Sequence, residues 1–158
     1  MHRLQCVHAD VVVVVNGDLL TGHDLGAQVS ALTAADAHKM MEACKAEAQK
    51  NKWNVAIAIV DDSGALIHLE RLDGCGAISA DVAVKKAQTA ALTKRPTKFF
   101  EDRVKERPGF VTFPTPGVMF QGGLPLVHQN ECVGAIGVSG VQSHEDEQVA
   151  QAGVNVLG

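Results

Sequence analysis

The sequence predicts an α+β domain in which helices pack on an antiparallel β-sheet. Helical and strand-like spacings of apolar residues follow one another in the order helix, strand, strand, helix, helix, strand, strand, strand, helix. The strands succeed one another as hairpins, and no repeated strand–helix unit of the kind that builds a parallel sheet is present. The pattern therefore excludes a Rossmann fold.

The chain length suits one domain with a substantial core, since 158 residues include 46% hydrophobic and 20% charged side chains. Residues 1–30 are expected to form an N-terminal extension and residues 31–158 the domain. Within the extension, Val11 to Val15 predicts a single strand, with a partly disordered segment as the alternative. Five valines are too few for a membrane span or a signal peptide.

The first helix and the first hairpin have clear signals. Thr33 and Asp36 resemble a capping box at the start of an amphipathic helix. The continuous apolar run Val55 to Val60 predicts a central strand. After an Asp-Asp-Ser-Gly turn, Ala65 to Arg71 alternates and predicts a second strand, so the two strands form a hairpin.

The next helix organises the rest of the chain. The stretch Gly74 to Arg95 enters from a glycine-flanked loop and consists mostly of small and aliphatic residues, so we expect it to be buried on several sides. Before its last turn the charges are Asp81, Lys85 and Lys86. The two lysines either extend along an edge to solvent or point into a polar cleft.

The second half predicts a short helix, a strand pair and a last helix. Thr97 is expected to cap the short helix. Gly117 to Phe120 predicts a short strand, and the strand that follows contains Pro125, which requires a sheet edge or a bulge. A hairpin then leads to the last helix, where Ser143 and Asp146 resemble a capping box.

Charge and composition exclude several classes of function. The net charge is −4, aromatic residues make up 4% and no basic stripe is visible, which argues against nucleic acid as a partner. The cysteines form no C-x-x-C pair and fit a reducing cytoplasm. The seven histidines show no close metal-ligand spacing on one helix. A small molecule is therefore the expected ligand.

Two loops are candidates for binding such a ligand. The loop from Arg71 to Gly74 places an arginine and a carboxylate beside the organising helix, either as a structural clamp or as a substrate clamp. Gly122 and Gly123 expose backbone N–H groups that suit an anion, although a tight bulge would need the same residues.

From about Leu32 onward the sequence resembles the GlcG/HbpS family, a heme-degrading-domain class that includes the C-terminal domain of PduO. The similar motifs occur in the family's order and cover about four-fifths of the chain. They are Ile59-Val-Asp-Asp-Ser-Gly64, Glu70-Arg-Leu-Asp-Gly74, Lys85-Lys-Ala-Gln-Thr-Ala90, Arg95-Pro-Thr97, Gly122-Gly-Leu-Pro125, Val133-Gly-Ala-Ile-Gly-Val-Ser-Gly140 and Glu145-Asp-Glu-Gln-Val-Ala150. Residues 1–30 depart from the family.

The resemblance implies a profilin-like α+β fold with a five-stranded antiparallel sheet flanked by helices. It also implies a homo-oligomer, commonly an octamer or a smaller building block of one. Some family members bind heme, and others lie among catabolic genes. Heme is thus the one cofactor that the resemblance suggests.

A heme- or tetrapyrrole-binding accessory protein is the leading hypothesis. Heme needs an apolar slot, an axial iron ligand and cations for its propionates. The cations would be Lys85, Lys86, Arg71 and Arg95. The candidates for the iron ligand are His38, His68 or a threonine oxygen. The low aromatic content argues against a good slot.

A small catabolic hydrolase acting on a carboxylate-bearing metabolite is the alternative, and a structural oligomer without chemistry is a second one. In the hydrolase, the catalytic candidates are Lys85, Lys86, Asp73 and Glu147, with a lysine as base or imine former. The ligand-binding candidates are Arg71, Asp81, Thr89, Gly122 and Gly123. The hydrolase needs no cofactor.

Overall fold

The structure, a computed structural model, describes residues 13–15, 18–20, 31–115 and 117–157. The strands are β1 (Val13–Val15), β2 (Asp18–Leu20), β3 (Ala56–Asp61), β4 (Leu66–Arg71), β5 (Gly123–His128) and β6 (Glu131–Ser139). The helices are α1 (Ala34–Asn51), α2 (Ile78–Thr93), α3 (Thr97–Glu106) and α4 (Ser143–Val154), with a 3₁₀ helix at Pro108–Thr112. No helix in these described ranges combines the length and the apolar character that crossing a membrane requires.

The main sheet has the order β4-β3-β6-β5, and every neighbouring pair is antiparallel. Alternate residues of β3 point to opposite faces of this sheet. Ile57 and Ile59 pack on the face that α1 and α4 cover, whereas Ala58 and Val60 pack against α2. Burial on both faces explains the unbroken apolar run, and the predicted central strand is confirmed.

Helix α2 lies very close to the sheet because the residues between them are small. Ala83 and Ala87 of the helix face Gly137 of β6, where an added Cβ would overlap the Ala83 carbonyl oxygen. The expected burial of this helix is confirmed, since Ala83, Ala87, Ala90 and Ala91 are all buried. The alanine-rich sequence is therefore the condition for the close contact between helix and sheet.

The predicted α+β class with an antiparallel sheet between helices is confirmed, but the five-stranded sheet is wrong, because the sheet of the domain has four strands. The expected strand from Gly117 to Phe120 has no strand geometry. Gly117 instead lies against the Lys85 carbonyl and the Thr89 side chain of α2. Pro125 does lie on an edge strand, with a register shift at Leu126 and Val127.

One of three predicted helix caps is confirmed. The Thr33 hydroxyl accepts the Asp36 N–H at 3.1 Å and begins α1. Thr97 is the first residue of α3 and makes no cap, because its side chain turns into the core. The capping box of α4 is formed by Gln142 and Glu145, not by the predicted Ser143 and Asp146. The Asp146 side chain is therefore available for other contacts.

Two short strands lie within the predicted extension. β1 pairs antiparallel with β2, Val14 lying opposite Leu19. The other residues of the segment 1–30 lie outside the described part of the chain. The boundary at residue 30 therefore stays a prediction.

Asp61 closes the turn between β3 and β4, and this predicts a pH dependence of stability. Its Oδ1 accepts the Ser63 hydroxyl at 2.7 Å and the N–H groups of Ser63 and Ala65, both at 2.9 Å. The Ser63 hydroxyl, followed by the backbone N–H groups, lowers the pKa of Asp61 below its ordinary value of 3.8. A lowered pKa means that the Asp61 carboxylate stabilises the folded state. This stabilisation is present above pH 3.8 and is lost as the pH falls through the lower folded-state pKa.

We therefore expect Asp61→Asn to reduce the acid sensitivity of the fold. Urea midpoints of the wild type and the variant, each measured at pH 6 and pH 3 (roughly above and below the Asp pKa), check this. The wild type should lose more stability than Asp61→Asn between the two values, because only the wild type carries the titrating carboxyl. Equal losses in the two proteins would contradict the role of this carboxylate.

Candidate functional site

Lys86 lies on the sheet-facing side of α2 and is 2% exposed. Its Nζ donates to Asp146 Oδ2 at 2.8 Å and to the Val138 carbonyl oxygen at 2.8 Å. The ion pair thus joins α2, β6 and α4 in the interior. A buried ion pair of this kind needs its additional hydrogen bonds to offset the cost of removing two charges from water.

The surroundings of Asp146 complete this polar cluster. Its second oxygen accepts the Val141 N–H at 3.1 Å. Burial raises the pKa of Asp146, while Lys86 and the Val141 N–H act in the opposite direction. Gly122, with φ of +120°, closes over the pair, since an added Cβ would lie 2.8 Å from Lys86 Nζ. Lys86 is therefore enclosed and hydrogen-bonded, which does not favour the predicted role as base or imine former.

The other predicted catalytic residues do not gather around Lys86. Lys85 and Asp73 are exposed, the former on the outer side of α2 and the latter in the turn before it. Glu147 of α4 is half-buried, and its Oε2 is buried without a hydrogen-bond partner among the described residues. The catalytic set stays a prediction, since none of its four side chains lines either of the cavities of about 730 and 480 Å³ that the described residues form.

The predicted ligand-binding arginine and one of the glycines have internal partners. Arg71 Nη1 donates to the Cys75 carbonyl oxygen at 2.7 Å and closes the loop before α2. The Gly123 N–H donates to Thr97 Oγ1 at 2.8 Å in the core. Each interaction gives its residue a structural role, although the partners are Cys75 and Thr97 and not the Asp73 carboxylate of the predicted clamp. Each also occupies one donor that an anion would need.

The remaining predicted ligand-binding residues are separated as well. Thr89 is fully buried, and its hydroxyl has no hydrogen-bond partner among the described residues. Asp81 is exposed in the first turn of α2. Gly122 covers the buried ion pair. These residues therefore lie in three different environments.

The two histidines proposed as iron ligands do lie together. His38 of α1 and His68 of β4 have ring centroids 6.0 Å apart and ring planes 7° apart. His68 pairs with Ile59, whose side chain packs on the α1 side of the sheet. Within the described ranges, no cluster of three or more His, Cys, Asp or Glu side chains has the geometry of a metal site. The two imidazoles could therefore ligate an iron only on the α1 side of the sheet.

An aromatic cavity of about 730 Å³ lies beyond the C-terminal end of α2, and we call it the phenylalanine slot. It is lined by Leu92, Thr93, Arg95, Phe99, Phe100, Phe110, Phe113, Pro114 and Thr115. Four of the five phenylalanines of the chain meet here. Phe110 and Phe113 stack with centroids 5.1 Å apart, and Phe100 lies 6.0 Å from Phe113. The slot therefore has flat, apolar walls.

Two guanidinium groups contact the aromatic wall of the slot. Arg95 Cζ lies 4.7 Å and Arg103 Cζ 5.3 Å from the centre of the Phe99 ring. Both distances suit cation–π contacts. The mouth of the slot thus combines aromatic faces with positive charge, which suits a planar ligand that carries carboxylates.

A second cavity of about 480 Å³ shares Thr115 with the slot. It lies between α3 and the irregular segment 117–120, and Met119 and Phe120 form part of its apolar wall. Glu101 at its edge accepts the Gln121 N–H at 2.8 Å and pairs with Lys105. Glu101 and Lys105 are thus already paired, whereas Arg95 of the phenylalanine slot has no ion-pair partner among the described residues.

Comparisons with known proteins match this fold to one family. Residues 32–155 match the family model described as haem degrading protein HbpS-like. Protein GlcG of Escherichia coli K12 is 44% identical over 104 residues, which are 65% of this chain and 77% of GlcG.

Two solved structures are similar to this chain along nearly their whole length. A double mutant of Streptomyces reticuli HbpS has a TM-score of 0.76 at 32% identity and covers 95% of this chain and 99% of its own. The crystal structure of a PduOC:heme complex has a TM-score of 0.73 at 28% identity and covers 80% of this chain and 95% of its own.

Proposed function

Since this chain belongs to the HbpS-like family, we propose that it is a small-molecule-binding accessory protein whose ligand is heme or a related tetrapyrrole. The observation that carries the proposal is the phenylalanine slot, with its stacked aromatic side chains and its two guanidinium groups. The similarity to the PduOC:heme complex supports this class of ligand.

The size and walls of the slot suit the macrocycle. Its volume of about 730 Å³ lies within the range of roughly 300–1,000 Å³ that is usual for small-molecule sites. Phenylalanine rings attract an aromatic plane by offset or edge-to-face stacking. Arg95, which lines the slot, would bind a propionate, since a guanidinium pairs with a carboxylate through two parallel hydrogen bonds.

The proposal assigns the macrocycle to the slot and not to the histidine pair. His38 and His68 lie on α1 and β4, on the sheet face opposite to α2, whereas the slot adjoins the end of α2. A macrocycle in the slot would therefore lie away from both histidines.

We expect heme to bind the purified protein at about 1:1 and to give a shifted Soret band. Phe113→Ala should weaken binding by about 2- to 12-fold, because it removes one stacking wall worth roughly 0.5–1.5 kcal/mol. Phe113 is partly exposed, so this variant should keep its fold. An absorbance titration measures both affinities.

Phe120→Ala is the matched control, since Phe120 is exposed and lines the second cavity instead. It should bind heme like the wild type, and so should His38→Ala and His68→Ala. Absence of a Soret shift at stoichiometric heme would remove the proposal. Loss of binding in either histidine variant alone would move the ligand to the histidine pair.

We also propose that the protein acts as a homo-oligomer in the cytoplasm, with the octamer as the family-based expectation. Large apolar side chains exposed on the single chain support self-association. They include Leu66, Ile78, Leu92, Val111 and Phe120. Light scattering after size-exclusion chromatography tests the assembly, and a monomer mass at micromolar concentration would refute it.

A further inference from the structure

Building on the proposed function, we propose that the slot recognises the flat, anionic macrocycle itself and makes no use of its iron. Metal-free protoporphyrin IX would then bind about as well as heme. The ligand class becomes planar aromatic polycarboxylates, and the carboxylates and the ring face determine affinity.

The first step concerns the iron ligands that the slot offers. Strong protein ligands for heme iron are imidazole, thiolate, thioether and phenolate groups. The slot residues that the structure describes carry none of these groups, since they are apolar or aromatic apart from Arg95 and two threonines. Among the described side chains that line the slot, those of Thr93 and Thr115 are therefore the only ones with an oxygen atom that could ligate iron.

Both threonine hydroxyls are already engaged. Thr93 Oγ1 donates to the Thr89 carbonyl oxygen within its own helix. Thr115 Oγ1 donates to the Gly117 carbonyl oxygen at 3.2 Å. A neutral hydroxyl is a weak iron ligand, and these two would also have to leave their carbonyl partners. Among the residues that the structure describes, the slot thus offers iron no strong ligand.

The second step concerns the charge at the mouth. Arg103 pairs with Glu106 at 3.1 Å, so its charge is shared. Arg95 is exposed, and no carboxylate of the described residues lies within salt-bridge distance of it. Arg95 lies over Phe99, so a macrocycle packed against the phenylalanines would bring a propionate to this guanidinium. Arg95 is therefore the specificity-determining cation.

The test compares three probes by fluorescence and absorbance titration: heme, metal-free protoporphyrin IX and protoporphyrin IX dimethyl ester. We expect the two acids to bind with Kd values within about threefold of each other, and the ester to bind about tenfold more weakly. Arg95→Met should weaken both acids by about tenfold and leave the ester unchanged.

Lys94→Met is the matched control, because Lys94 is an exposed cation next to Arg95 that does not line the slot. It should leave all three affinities unchanged. If heme binds and protoporphyrin IX binds about 100-fold more weakly, the iron is ligated and the inference fails while the proposed function stands. If the ester equals the acids, recognition by Arg95 fails. If no probe binds, the proposed function fails as well.

Discussion

Replacing Lys86 with methionine is expected to lower the free energy of unfolding by about 3–5 kcal/mol, because it leaves the Asp146 carboxylate buried without its cation. Urea denaturation followed by circular dichroism measures the loss. Burial already raises the pKa of Asp146 in the wild type, and removal of the cation raises it further. A group with a raised folded-state pKa stabilises the fold at low pH, and this stabilisation disappears as the pH rises through that pKa. The stability difference between Lys86→Met and the wild type should therefore shrink in acid.

Lys85→Met is the matched control, because Lys85 is the adjacent residue and is exposed. Its effect should stay within about 0.5 kcal/mol, as for other surface positions. The double variant Lys86→Met/Asp146→Leu should recover much of the loss, since a buried pair can often be exchanged for apolar side chains. Equal losses for Lys85→Met and Lys86→Met would contradict the buried ion pair.

Gly137→Ala should cost about 1–3 kcal/mol or more, because the added methyl group separates α2 from the sheet. The new Cβ would overlap the Ala83 carbonyl oxygen and lie 2.5 Å from the Ala87 nitrogen. These are backbone atoms that no side-chain rotation can move away. Thermal unfolding and urea midpoints check the expected loss.

Gly109→Ala serves as its control, since an added Cβ there meets nothing within 4 Å. This change should be neutral or slightly stabilising, because alanine reduces the freedom of the unfolded chain. Equal stability of the Gly137 and Gly109 variants would show that α2 does not need the close approach to β6.

The inward direction of Lys86 could have been predicted from the sequence. Ala83, Lys86, Ala87 and Ala90 follow the spacing of one helix face, whereas Lys85 falls outside it. The partner could not be predicted, since Asp146 lies sixty positions further along the chain. Its side chain also fitted a capping box that Glu145 forms instead. The helical spacing therefore predicts that a charged side chain is buried, but it does not predict which residue pairs with it.

The phenylalanine slot was missed for a similar reason. A total aromatic content of 4% argues against an aromatic pocket when the rings are spread evenly along the chain. Here α3 supplies two rings, and the 3₁₀ segment after it folds back to add Phe110 and Phe113. The missing fifth strand belongs to the same irregular region, where Gly117 packs on α2 and not on a strand. Periodicity predicts the regular elements but not how a loop folds onto them.

The central claim is that the macrocycle lies against the phenylalanines beside Arg95. The most direct measurement is X-ray diffraction from crystals of the heme complex, collected at the iron absorption edge, since the anomalous peak marks the iron position. The account predicts one strong peak over the phenylalanine slot, with ring density against Phe99 and Phe113. A peak between or beside His38 and His68, with the slot empty, would contradict it.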